Sequence, residues 1–184
     1  MNKDKIKKAA RELLKAIGEN PNREELKKTP ERFANMFEEV LSGKNKDAKD
    51  ILQLSHDLKH DEMILIKDVP FYSMCEHCLL PFFGKCYVAY IPERNKIVGI
   101  SRLIDVVDAF SRRLQLQERL TTEIANSIMK HLKPKGVGVV IEARHLCMEM
   151  TGAKQPETKV VTSAVRGRFR KDIKTREEFL KLIR

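Results

Sequence analysis

Two short stretches hold the residue types that do chemistry. Cys75, Glu76, His77 and Cys78 stand side by side ahead of the apolar run "LLPFF", and His145 and Cys147 lie two residues apart in "EARHLCMEM". A Cys-x-x-Cys pair fits a redox couple, half of a structural zinc site, or one arm of a catalytic metal centre. A redox pair opens a helix near a βαβ pattern; here Pro81 and Gly84 follow and disfavour a helix. A closed zinc site needs a fourth ligand, usually from a second Cys-x-x-Cys or a paired His motif, and Cys86 and Cys147 stand alone. On a strand, residues two apart share a face. His145 and Cys147 are therefore expected together, Cys147 completing a three-thiolate set with Cys75 and Cys78. His145 would act beside it. Three protein ligands leave a fourth position for water, as catalytic zinc sites do. Without the histidine, Cys147 would read equally well as a buried core thiol.

Several elements must position these groups. Ile6, Ala9, Ala10, Leu13, Leu14 and Ile17 repeat at helical spacing, with Gly18 and Pro21 ending the helix. "TPERFANMFEEVLSG" predicts a second helix, capped by Thr29 with Pro30 in its first turn. Residues 44–61 read as a polar connection with a short helix around Ile51–Leu54. Residues 1–60 thus form a helical extension, and the pattern changes from residue 61 onward. "EMILIKDV", "GKCYVAYIP" and "KIVGIS" predict strands, the last two joined as a hairpin by "ERN". Leu103, Val106, Val107, Phe110 and Leu114 form one helical stripe; Leu116, Leu120, Ile124, Ile128 and Leu132 form another. "GVGVVIEARH" and "KVVTSAVRGRF" predict two more strands, and Thr175 with Glu178 a capping box for a last helix. Strands and helices segregate instead of alternating. That predicts an α+β domain over 61–184 with a mostly antiparallel sheet.

Composition narrows the function classes. With 184 residues and 42% hydrophobic content, one domain plus an extension can bury a core. No apolar run approaches the ~20 residues of a membrane helix, and the N-terminal residues carry no apolar leader. The chain is read as cytoplasmic, where four cysteines point to metal or catalysis more than to disulfides. The net charge of +10 raises the question of nucleic acid. However, Lys and Arg are scattered among acids, with no basic run. Solvated helix faces and a small anionic substrate account for the charge better than a nucleic-acid or membrane partner.

"SMCEH", "LPFFGK", "VAYIP", "LQLQERLT", "GVGVVIEARHLCMEM" and "TSAVRG" resemble, in order and spacing, the motifs of the GTP cyclohydrolase I family. "TPERFA" and "KTREEFLKLI" extend the resemblance to both ends. It implies a tunnelling fold (T-fold) with two packed helices, and a homodecamer of two pentamers with active sites at subunit interfaces. It also implies a Zn2+-dependent opening of the imidazole ring of GTP, with C8 released as formate and 7,8-dihydroneopterin triphosphate as product. Carried over by motif, Cys75 and Cys147 are zinc ligands, and His77 and His145 are acid–base groups. Glu118 accepts the guanine N1 and N2 hydrogens, with Gln117 beside it. Ser101 lies near the ribose and phosphates.

Some positions depart from the family's pattern. The family usually has a second His where this chain has Cys78. A third thiolate still suits zinc, but it donates more charge and makes the bound water a weaker acid. On the phosphate side, Arg102 keeps one cation of "Ser-Lys-x-x-Arg" while Asp105 replaces the other. Thr151 precedes Gly152 where the family has Arg-Gly. Arg32 is kept in the N-terminal motif, with Asn35 where many bacterial members carry Lys. Each lost hydrogen bond to a charged group removes roughly 1.5–3 kcal/mol if nothing compensates. Two alternatives to a GTP-hydrolysing enzyme therefore stay open. One is a related T-fold enzyme acting on a different or less phosphorylated purine. The other is a catalytically silent oligomer that binds zinc and nucleotide.

Overall fold

The structure, a computed structural model, describes residues 1–56, 60–94 and 96–184. It divides into two compact units, residues 1–42 and 43–184. The division falls ahead of the change in sequence character at residue 60, because part of the polar connection packs with the larger unit.

The first unit is a helix pair. α1 (Lys3–Ala16) and α2 (Thr29–Val40) pack against each other, and Lys3 near the start of α1 donates to Asn35 of α2 at 3.2 Å. Asn2 caps α1 through its side chain. Thr29 is the first helical residue of α2 and not its cap; Lys28 takes that place without a side-chain bond.

The second unit is built on a five-stranded sheet. α3 (Ala48–Ile51) is the short helix of the connection, a few residues earlier than the sequence predicts, and β1 (Leu54–His56) follows it. The sheet strands are β2 (Ile64–Cys75), β3 (Pro81–Ile91), β5 (Leu114–Gln115), β6 (Gly136–His145) and β7 (Lys159–Gly167), in the order β5-β2-β3-β6-β7. All neighbours are antiparallel except β2 and β5. β4 (Ile97–Val98) does not pair with β3 as a hairpin; it pairs with β1. Gly99 starts α4 (Ile100–Ser111) directly afterwards, leaving β4 two residues long. Asn95, part of the expected turn, lies outside the described residues.

α4 and α5 (Gln117–Leu132) cover one face of the sheet. Leu103, Val106, Val107, Leu120, Ile124 and Ile128 meet Phe71, Phe82, Val88, Tyr90, Val137, Val139 and Ile141 there. The strand residues alternate with a period of two, as a half-covered pleat requires. Leu114 does not continue the α4 stripe; it sits in β5 and is exposed. On the other face, α7 (Arg168–Lys171) and α8 (Ile173–Leu182) bring Phe169 and Phe179 against Ala89, Ile91 and Val140. Gly138 makes that packing possible, since a Cβ there would lie 2.9 Å from the Phe169 ring. α8 is capped by Asp172, which accepts from Lys174 N and from Thr175 Oγ1. The expected Thr175–Glu178 box does not form, because the helix starts earlier.

One irregularity decides what faces the helices. Between Ile66 and Val69 the β2–β3 register shifts, and two residues of β2, Lys67 and Asp68, oppose Tyr87 alone. Asp68 takes φ 57° at this bulge. Before it, even-numbered Ile64 and Ile66 pack on the helix-covered core; after it, odd-numbered Val69, Phe71 and Cys75 do. A bulge adds one residue to one strand and so reverses its alternation.

A candidate metal and acid–base site at the start of α5

Cys75 ends β2 on the helix-covered face and is buried. The chain then turns through residues 76–80 into β3. Leu79 N donates to Cys75 O and Cys75 N to Leu80 O, both at 2.9 Å, with Leu79 at φ 55°. This tight loop returns Cys78 toward Cys75. Arg119 of α5 clamps it from the side. Its Nη1 donates to Glu76 Oε1 at 3.2 Å, Nη2 pairs with Glu76 Oε2, and Nε donates to Gln115 Oε1 at 2.9 Å. Glu76 N donates to Gln115 O at 3.1 Å. The Arg119 hydrogen bonds hold the Glu76 carboxyl below its usual range.

The second arm comes from β6. Ile141, Ala143 and His145 lie on the helix-covered side by alternation, and His145 pairs across the sheet with Phe82. The imidazole stacks on the Phe82 ring at a centroid distance of 4.8 Å and an angle of 5°. Burial lowers the His145 pKa, and the Glu118 carboxylate opposes that shift. Cys147 is not on the strand. β6 stops at His145, and Cys147 lies in the first turn of α6 (Leu146–Met150). The helical turn, not strand alternation, carries its sulfur to the other two.

The sulfurs of Cys75, Cys78 and Cys147 all lie within 4.8 Å of one another and could hold a metal ion. The donor set fits zinc: bonds of about 2.3 Å at tetrahedral angles put sulfurs about 3.8 Å apart. Crowding tests the fit further. Burial and the two neighbouring thiols push the Cys147 thiol up to about 11. Three adjacent thiolates repel one another, and a bound divalent cation reverses that balance. The fourth cysteine, Cys86, is fully buried with its thiol pushed well up by desolvation. It is a core residue.

The remaining expected site residues fall into three groups. His77 and Glu118 are exposed, His77 on the Cys75–Cys78 turn and Glu118 in the first turn of α5, where its charge reaches His145. Gln117 beside Glu118 is buried, with its amide bound within the protein. Ser101 and Arg102 stand exposed at the start of α4, where Arg102 Nη1 lies 3.6 Å from Asp105 Oδ2. Thr151 is exposed and donates to Cys147 O at 2.7 Å. Arg32 is an exposed residue of α2 in the first unit. Sequence reasoning missed Phe82, which stacks on His145, and Arg119, which holds Glu76 and Gln115. Arg119 lay in plain view in "QERLT", but nothing local showed that it reaches Glu76. A separate cavity of about 470 Å³, lined by Lys44, Lys46, Arg113, Lys130 and His131 among others, shares no residue with this site.

The GTP cyclohydrolase I family profile matches residues 6–184. This chain belongs to the GTP cyclohydrolase I family. It is 55% identical over its full length to GTP cyclohydrolase 1 of Caldanaerobacter subterraneus subsp. tengcongensis, covering 97% of that protein. It is 56% identical to GTP cyclohydrolase 1 of Aquifex aeolicus, covering 100% of this chain and 98% of that one. For GTP cyclohydrolase 1 of Bacillus subtilis the identity is 51%, over 100% and 97%. The family's tunnelling fold is the architecture found here, an antiparallel sheet with two packed helices on one face. Among the described residues no helix is long and apolar enough to cross a membrane.

Proposed function

We propose that this chain is a metal-dependent GTP cyclohydrolase I. It opens the imidazole ring of GTP with water, releases C8 as formate and yields 7,8-dihydroneopterin triphosphate. The observation that carries this reading is the meeting of three sulfurs and His145 at the start of α5. Cys75, Cys78 and Cys147 would hold the ion, which we take to be zinc from the thiolate set. Zinc bound there supplies Lewis acidity and lowers the pKa of a coordinated water.

The chain's own residues supply the rest. His145, half-buried and stacked on Phe82, is an imidazole, the side chain suited to exchange a proton near neutral pH. His77 is the second acid–base group. Glu118, exposed beside this pair, accepts the guanine N1 and N2 hydrogens. Ser101 and Arg102 face the ribose and phosphates. We also infer a homodecamer. The nine-residue β7 ends the sheet with no neighbour on its outer side among the described residues, and Val161 on it is 61% exposed. An open edge of that length favours pairing with another copy.

The test is direct. The purified protein is incubated with GTP, and formate and oxidised-pterin fluorescence are assayed beside metal content. Both products with about one zinc per chain are expected. Guanine binding without turnover would make it a silent nucleotide-binding oligomer. Zinc without GTP binding or turnover would point to another purine, a reading that the Arg102–Asp105 pair favours by neutralising one cation. A protein that retains no metal through careful purification overturns the three-sulfur site.

A further inference from the structure

Gln117 opens α5 with its side chain turned inward and only 1% of the residue exposed. Its Nε2 donates to the Ile141 carbonyl at 3.0 Å and the Val160 carbonyl at 2.9 Å, with Thr162 Oγ1 at 3.1 Å. Carbonyl oxygens only accept. Turning the amide over would set its oxygen against two acceptors in a buried place and leave the nitrogen's donors unused. The amide therefore has one orientation. The neighbouring hydroxyls agree with it. Thr121 Oγ1 donates to the Gln117 backbone carbonyl at 2.7 Å and lies 2.6 Å from Thr162 Oγ1. Its hydrogen is spent, so Thr162 donates to Thr121 and is left to accept from Gln117.

The Gln117 oxygen then faces His145 Nε2 at 2.7 Å. A carboxamide oxygen cannot donate, so that ring nitrogen carries a hydrogen in the neutral and the charged imidazole alike. The stack on Phe82 fixes the ring plane. We infer that Gln117 is a positioning residue, which holds His145 as its Nε2–H tautomer and leaves Nδ1 as the nitrogen that exchanges protons with the purine. The inference rests on the proposed role of His145 in opening the imidazole ring. It assigns the Gln117 side chain to His145, its amide nitrogen being taken by the carbonyls of β6 and β7.

Neutron diffraction from deuterium-exchanged crystals of the full chain reads the tautomer without any turnover. At about pH 8, above the ordinary imidazole range, deuterium is expected on Nε2, directed at Gln117 Oε1, with none on Nδ1. Deuterium on Nδ1 with a bare Nε2 overturns the inference. Gln117→Met supplies the kinetic arm, since it keeps the side chain's length and removes the acceptor. The expected change is a fall in kcat of about 10- to 100-fold, the scale of a misplaced acid–base group, with KM for GTP within about twofold. A raised KM at unchanged kcat would mark a purine contact and also overturn it. If Gln117→Met does not fold, judged by thermal melting, Thr162→Val replaces it. That variant loosens one amide anchor, and a smaller fall in kcat at constant KM is expected; a rise in KM alone would again overturn the inference. Absence of GTP turnover in the unaltered protein would instead defeat the proposed function, and the neutron map would still decide the tautomer.

Discussion

The starts of α5 and α4 lie in the same helical layer and are built in opposite ways. At the start of α5, Gln117 is buried against β6 and β7, and Arg119 is hydrogen-bonded to Glu76, Gln115 and the Leu114 carbonyl. At the start of α4, Ser101 and Arg102 stand in solvent. The ion pair there joins Arg102 and Asp105, each with 52% of its side chain exposed. Such a pair contributes little, because water screens it and two mobile side chains must be ordered. The contrast follows the chemistry proposed for each corner. Metal ligation and proton transfer need atoms held to a fraction of an ångström. Phosphates tolerate looser cations, and those cations can be completed by a ligand or by another copy of the chain.

Four experiments would break or sharpen that contrast. The largest effect is expected from Cys147→Ala, which removes one sulfur from the cluster. Metal content should fall from about one zinc per chain to near none, measured by elemental mass spectrometry, with turnover at background. Full retention of zinc would show that the cluster is not the metal site. Leu120→Ala comes next. Leu120 is fully buried one turn into α5, and its truncation should lower stability by about 2–5 kcal/mol in urea unfolding. The same truncation at Ile104, exposed on α4, should stay within about 0.5 kcal/mol. Equal losses would erase the contrast.

Arg119→Ala should loosen the Cys75–Cys78 turn without removing a ligand. Zinc affinity by competition with a chelator should weaken about 10- to 100-fold, as when an outer partner of a metal site is lost. Unchanged affinity would mean the turn holds itself. The smallest effect is expected from Asp105→Arg. Freeing Arg102 and adding a cation at an exposed position should lower KM for GTP about two- to fivefold. An unchanged KM would show that Asp105 faces away from the phosphates.

Much of this was legible locally. The alternation in "GVGVVIEARH" and the stripe from Leu120 to Leu132 are strong because one element suffices to show them. They became β6 and α5. The elements misread were those whose form depends on distant partners. β4 is short and pairs with β1, a neighbour that no pattern in "KIVGIS" reveals. Asp172 caps α8 because the chain leaves α7 there, ahead of the Thr175 expected to do so. The three cysteines were identified as one set on an assumption about strand geometry that fails at Cys147. The set survives because a helical turn also brings that sulfur round.

By itself the sequence determined the donor set, the segregated order of strands and helices, and the family, since residue types and periodicities are local properties. Tertiary structure decided which side each donor faces. The bulge at Lys67 and Asp68 reverses the alternation of β2 and so turns Cys75 toward the helices. No composition rule marks it, because Asp68 reaches its left-handed conformation only where β3 fixes the register. The Gln117 amide is the second case. "QERLT" reads as an exposed helix start, yet carbonyls of β6 and β7 turn that one side chain inward to His145. Those carbonyls come from strands far along the chain, and only folding brings them to the start of α5.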